Sequence, residues 1–69
     1  MSLEVHVGQK FHMDGKKFIV GGISHEYLMT GTVINFCELD DNDLIKIPTL
    51  YMDEEIFRGR IYDGRITYD

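Results

Sequence analysis

Residues 11–18 read FHMDGKKF, and the Asp14-Gly15 pair at their centre decides how the whole chain is read. A two-residue hairpin loop of type I′ needs positive φ at both central positions, which Asp tolerates and Gly adopts freely. The residues on either side alternate. Phe11 and Met13 share one face with Lys10 and His12 on the other; on the return, Phe18 and Val20 alternate with Lys17 and Ile19. Period-two alternation about Asp-Gly predicts an antiparallel pair with one buried face.

Outward from this hairpin the chain continues in the same manner. Gly21-Gly22 is expected to end the second strand or bulge it. Residues 23–31, ISHEYLMTG, fit a strand or one helical turn through Ile23, Tyr27 and Leu28. Residues 32–39, TVINFCEL, are rich in β-branched and aromatic side chains and predict the clearest strand. Ile34 and Phe36 lie on one face, and Val33, Cys37 and Leu39 on the other, so this strand should be central or covered on both sides. DDND then makes a polar turn, and LIKIP (residues 44–48) predicts a fourth strand that Pro48 forces to an edge or an ending. In TLYMDEEIFRG, Asp53 or Thr49 caps a helical turn that opens with acids and closes on Gly59. The tail RIYDGRITYD places Arg60-Ile61 and Arg65-Ile66 about Asp63-Gly64, the pattern of a second hairpin and one or two last strands. Residues 1–69 thus form one all-β domain, with a core expected at Phe11, Met13, Phe18, Val20, Val33, Ile34, Phe36, Leu39, Ile45, Ile47, Ile56 and Phe57.

Sixty-nine residues allow one domain and bury a small share of their surface, so stability is marginal without a staple or a partner. Cys37 is the only cysteine, which excludes an internal disulfide and predicts a small buried apolar residue in a reducing, cytoplasmic setting. The sequence has neither a secretory signal pattern nor an apolar run near the roughly 20 residues of a membrane span.

The net charge of −5 is unevenly spread. Residues 38–55 carry seven acids against Lys46 alone, whereas residues 1–37 balance three acids with three lysines. Such an acidic centre argues against simple phosphate-backbone binding, which needs clustered Lys and Arg. His6, His12 and His25 lack metal-ligand spacing, ELDDNDL lacks the glycine and closing glutamate of a calcium loop, and no P-loop, GxSxG or GxGxxG occurs. The expectation is a protein without metal, cofactor or catalytic activity. Its candidate surfaces are an acidic face, Glu38, Asp40, Asp41, Asp43, Glu54 and Glu55, and an aromatic surface at Tyr51 and Tyr62. Tyr68 is expected to be exposed.

Residues 8–61 carry the order G-x-x-F-x-x-D-G-x-x-F-x-V, a central strand, a polar turn, IKIP, then EEIFRGRI. This order resembles small SH3-like β-barrels, particularly those attached to DDE transposases and integrases, which often end in an acidic one-turn helix closed by Gly-Arg. The resemblance implies a five-stranded SH3-like barrel, or a meander completed by a second copy, with one short helical turn before the last strand. In that family the barrels support nucleic-acid or subunit contacts; this chain departs by its acidic centre and by having no catalytic domain.

The function expected is that of a non-enzymatic accessory protein of bacterial or phage origin that docks on a larger basic protein. Its acidic field would steer such a partner. One alternative is nucleic-acid binding through Lys10, Lys16, Lys17, Arg58, Arg60 and Arg65; another is an acidic DNA mimic that occupies a basic groove. Self-association is also expected, because LEVHVGQKF and RITYD alternate, lack proline and would form open edges.

Overall fold

The computed structural model describes residues 4–25 and 31–69. It is a five-stranded antiparallel sheet with one helix before the last strand: β1 Lys10–Met13, β2 Lys16–His25, β3 Thr32–Leu39, β4 Leu50–Asp53, α1 Glu54–Tyr62 and β5 Ile66–Tyr68. The strand order is β4-β3-β2-β1-β5, so four strands meander and the fifth returns beside the first.

The opening hairpin forms as the sequence predicts. Met13 pairs with Lys16, leaving Asp14 (φ 54°) and Gly15 (φ 76°) as the two-residue loop. Phe11, Met13, Phe18 and Val20 are all buried. Gly21-Gly22 bulges β2 without ending it, since pairing with β3 shifts register after Val20 and continues to His25. Tyr27 and Leu28 lie outside the described residues.

The core joins Phe11, Met13, Phe18, Val20, Ile34 and Phe36 of the sheet to Phe57 and Ile61 of α1 and Ile66 of β5. Phe11 is its centre: its ring stacks on Phe18 at 5.3 Å and meets Phe57 edge-on at 5.1 Å. Val5, Met52 and Tyr68 pack against this cluster. β4 and β5, the two edges of the sheet, do not pair with each other; α1 touches both and spans the gap.

Several expectations are corrected. The helix does not close at Gly59. It runs to Tyr62, because Ile61, one turn after Phe57, adds a second core anchor. Asp63-Gly64 is therefore no hairpin. Asp63 is helical (φ −78°) and only Gly64 is left-handed, with Gly64 N–H donating to Ile61 O (3.1 Å) and Arg65 N–H to Arg60 O (2.8 Å). These two bonds make a Schellman end to the helix, which needs one positive φ where the hairpin needs two. Ile56 is 55% exposed, because the face that buries Phe57 and Ile61 turns it outward.

The fourth strand is Leu50–Asp53 and not LIKIP. Ile45 makes only an isolated bridge to Leu39, and Ile45 and Ile47 are exposed. Pairing resumes after Pro48, which has no N–H to give a ladder. Val33 and Cys37 are half-buried on the sheet face opposite the core, where Cys37 Sγ lies 3.6 Å from Thr49 Oγ1. β1 begins only at Lys10, after a turn in which Gln9 N–H donates to His6 O. β1 is paired on both sides, so the N-terminal run is not an open edge. Tyr68 is half-buried: its hydroxyl donates to Glu4 O at 2.9 Å, and burial pushes the phenol pKa up.

Candidate functional site

Beyond β3 the chain leaves the sheet and builds an arm. Asp40 organises it, since its Oδ1 accepts from Asn42 N–H (2.8 Å) and Leu44 N–H (2.9 Å), while its own N–H donates to Leu44 O (2.9 Å). Short polar side chains hold turns in this way by bonding to nearby backbone. Asp43 adopts a left-handed φ of 62° at the tip. Its carboxylate takes Lys17 Nζ at 3.0 Å and Lys10 Nζ at 3.4 Å, which fastens the tip to β2 and β1. The hydrogen bonds from Lys17 and Lys10 hold the Asp43 carboxyl below its ordinary range, and the bond to Asp43 raises Lys17 above its own. On the return leg, Lys46 N–H donates to Glu38 O (2.8 Å) and Lys46 Nζ meets the Glu38 carboxylate at 3.1 Å.

Every residue from 41 to 51 is exposed. Within that arm Leu44 and Ile45 are more than half exposed and Ile47 is 91% exposed; Tyr51, at the start of β4, is 67% exposed. Single exposed apolar residues are ordinary, but a contiguous run rimmed by charge is the signature of a contact surface. Sequence reasoning placed Ile45 and Ile47 in the core. The signal for the opposite reading is the density of turn formers in 40–43 and Pro48 beyond, which cut LIKI off from a full ladder.

The expected acidic face divides. Glu38, Asp40 and Asp41 line an open cleft of about 390 Å³ together with His12, Lys16, Lys17 and Lys46, a lining of both signs. Glu54 and Glu55 line a second hollow with Gly31, Thr32 and Asp53. The two groups lie at opposite ends of β3, roughly 23 Å apart at about 3.4 Å per residue. Asp43 and Glu38 are ion-paired with lysines, and Glu54 meets Arg58 at 3.4 Å. Asp53 also caps α1, accepting from Glu55 N–H at 2.9 Å. Tyr51 stands on β4 and Tyr62 at the far end of α1, about 12 Å along the helix at 1.5 Å per residue. The six acids are thus not one face, and Tyr51 and Tyr62 stand on different elements. Of the cations of the nucleic-acid alternative, Lys10 and Lys17 serve Asp43, Lys16 shares the cleft with Lys17, Arg58 serves Glu54, and Arg60 points at Met13 Sδ.

The histidines make exposed local contacts: His6 with Glu4 (3.2 Å), His12 with Asp69 (2.9 Å), and His25 with Thr32 Oγ1 (3.1 Å). Among the described residues no three His, Cys, Asp or Glu side chains converge as a metal site, and no helix is long and apolar enough to cross a membrane. Fold and surface together define a small all-β domain with an exposed arm that displays apolar side chains after an acidic turn. Comparison with protein-family models, with curated proteins and with solved structures finds no match for this chain.

Proposed function

We propose that this chain is a small non-enzymatic interaction module that docks on a larger protein. The observation that carries the reading is the arm. Leu44, Ile45 and Ile47 are held outward by an ordered turn, which is a costly way to display apolar surface unless something covers it. Asp41 is exposed at its tip and makes no ion pair among the described residues, and the molecule carries a net charge of −5. An apolar patch within an acidic field suits a partner that offers an apolar pocket with a basic rim; the field accelerates encounter and the apolar contacts hold the complex.

The test is a photo-crosslinking side chain introduced at position 47 and, separately, at position 62, with the protein expressed in its native host. The reading expects a protein adduct at position 47 that disappears when Ile45 is replaced by Asp, and no adduct of that mass from position 62. Absence of any protein adduct at position 47, or an adduct indifferent to Ile45→Asp, refutes it. A salt titration with duplex DNA tests the alternative, for which retention with a steep salt slope is the signature.

A further inference from the structure

The two edges of the sheet differ in how they meet solvent. β5 is three residues long and bounded by Arg65 and Asp69, the shortness and charge with which proteins commonly deter edge pairing. β4, four residues long, is charged only at its last residue. Leu50, Tyr51 and Met52 precede the first charge at Asp53, and among the described residues β3 is its only strand neighbour. From residue 44 to residue 52 the one ionic side chain is Lys46, which is occupied by Glu38.

We infer that β4 pairs antiparallel with β4 of a second copy, across a two-fold axis at Tyr51, to join two sheets into one. This goes beyond docking on a larger protein, because it uses residues 49–53 and not Leu44, Ile45 and Ile47. The register follows from which side chains share a face. Leu50 and Met52 stand opposite Phe36 and Ile34 on the core side, while Tyr51 stands opposite Asn35 on the other. Facing residues in an antiparallel pair point to the same side of the sheet, so a two-fold axis that keeps the two core faces continuous must pass through a residue and not between residues. An axis at Tyr51 sets Tyr51 against its own copy, Leu50 against the partner's Met52, and the Thr49 hydroxyl against the partner's Asp53 carboxylate. All three pairings are complementary. An axis at Met52 would instead set Leu50 against a glutamate and Tyr51 against Asp53.

The self-complementary register about Tyr51 selects a second copy as the occupant. Two molecules of net charge −5 repel, so self-contact is favoured only on a strip without net charge. Residues 44–52 form such a strip, because Lys46 is neutralised within the molecule, and Asp53, the one charge in the ladder, lies at its end against the partner's Thr49. Five residues a side give less than the roughly 800 Å² per partner of a standard interface, so the dimer dissociates on dilution. Each dimer presents two arms.

Sedimentation equilibrium over three decades of concentration, together with a cysteine pair, tests this. The wild-type chain is expected to pass from monomer to dimer, and Tyr51→Lys, which sets two like charges face to face, to weaken the dimer by roughly tenfold or more. In a Cys37→Ser background, Tyr51→Cys should give a disulfide dimer under mild oxidation, because directly opposed residues bring their Cβ atoms within about 4.5–5.5 Å; Tyr62→Cys should not. Position 51 is exposed, so neither substitution removes core packing, and an unchanged melting curve verifies this. A wild type that stays monomeric at the highest concentration overturns the inference. So does a dimer indifferent to Tyr51→Lys, or one that crosslinks at position 62 and not at 51. None of these results changes the adduct expected at position 47, so the two readings fail separately.

Discussion

Phe57 and Ile56 are adjacent apolar residues on a nine-residue helix, and their substitution by Ala should have very unequal consequences. Phe57 is fully buried, its ring 5.1 Å from Phe11 and 6.4 Å from Phe36, and with Ile61 it is what fastens α1 to the sheet. Truncating a buried Phe to Ala typically costs about 3–5 kcal/mol, transfer and cavity together. A 69-residue chain at about 0.05–0.15 kcal/mol per residue has roughly 3.5–10 kcal/mol in total. Phe57→Ala therefore removes roughly 30% of the stability at the least and can remove all of it. Ile56 is 55% exposed and lies outside the core cluster; its truncation should cost roughly half a kcal/mol or less, since Ala is also the better helix former. Urea unfolding followed by far-ultraviolet circular dichroism measures both, with the wild-type slope checking that the transition stays two-state. A loss at Ile56→Ala equal to that at Phe57→Ala would refute the helix orientation on which the core is built.

Two glycines of α1 and its end should respond with opposite sign. Gly59→Ala should stabilise by about 0.5–1 kcal/mol, because a Cβ there meets open space and helical Gly is unfavourable, whereas Gly64→Ala should destabilise by about 1 kcal/mol at its φ of 80°. Thermal melts resolve both, at about 4–8 °C per kcal/mol for a domain of this size. Asp40→Ala removes the acceptor of two arm amides and should cost about 1 kcal/mol, with faster hydrogen exchange at Asn42 and Leu44; unchanged exchange would show that the arm is organised otherwise. The pairing of Asp43 with Lys17 and Lys10 should appear at both ends of the pH scale. Because the folded Asp43 pKa is lowered, its contribution is present above the unfolded value and is lost as pH falls through the folded one. Because the Lys17 pKa is raised, its contribution is present below the unfolded value and is lost as pH rises through the folded one. Asp43→Asn should flatten both limbs of a stability-against-pH profile, and the same two slopes in the variant would contradict the contact.

What was legible in the sequence was whatever local chemistry alone decides. Asp14-Gly15 sits between alternating runs that both have partners, so the hairpin and its four buried residues follow directly. TVINFCEL is strand-forming along its whole length, and β3 covers residues 32–39 as expected. The failures occur where one local pattern serves two structures. Asp63-Gly64 suits a hairpin and a Schellman end equally, and the choice falls to Ile61, whose burial on the helix is a long-range packing fact. LIKIP alternates like a strand, but alternation guarantees only two faces; the turn at Asp40 and the proline deny it a continuous neighbour. The acidic block failed as one surface for a related reason. Sequence proximity does not carry across a strand as long as β3, and the lysines that pair with Asp43 come from the hairpin some thirty residues away.

The return of β5 to the side of β1 also bears on how the chain can be made. Phe11 faces Tyr68 and Met13 faces Ile66 across that ladder, so the first strand receives its second neighbour from the last strand of the sheet to be synthesised. On a ribosome, the hairpin, β3 and β4 can emerge while Ile66 is still inside the exit tunnel, and the core then lacks one of its most deeply buried side chains. Helix α1 would have only part of its seat. The core of this domain is therefore completed only once β5 has emerged, leaving an interval in which Phe11, Phe36 and Phe57 are accessible to a chaperone.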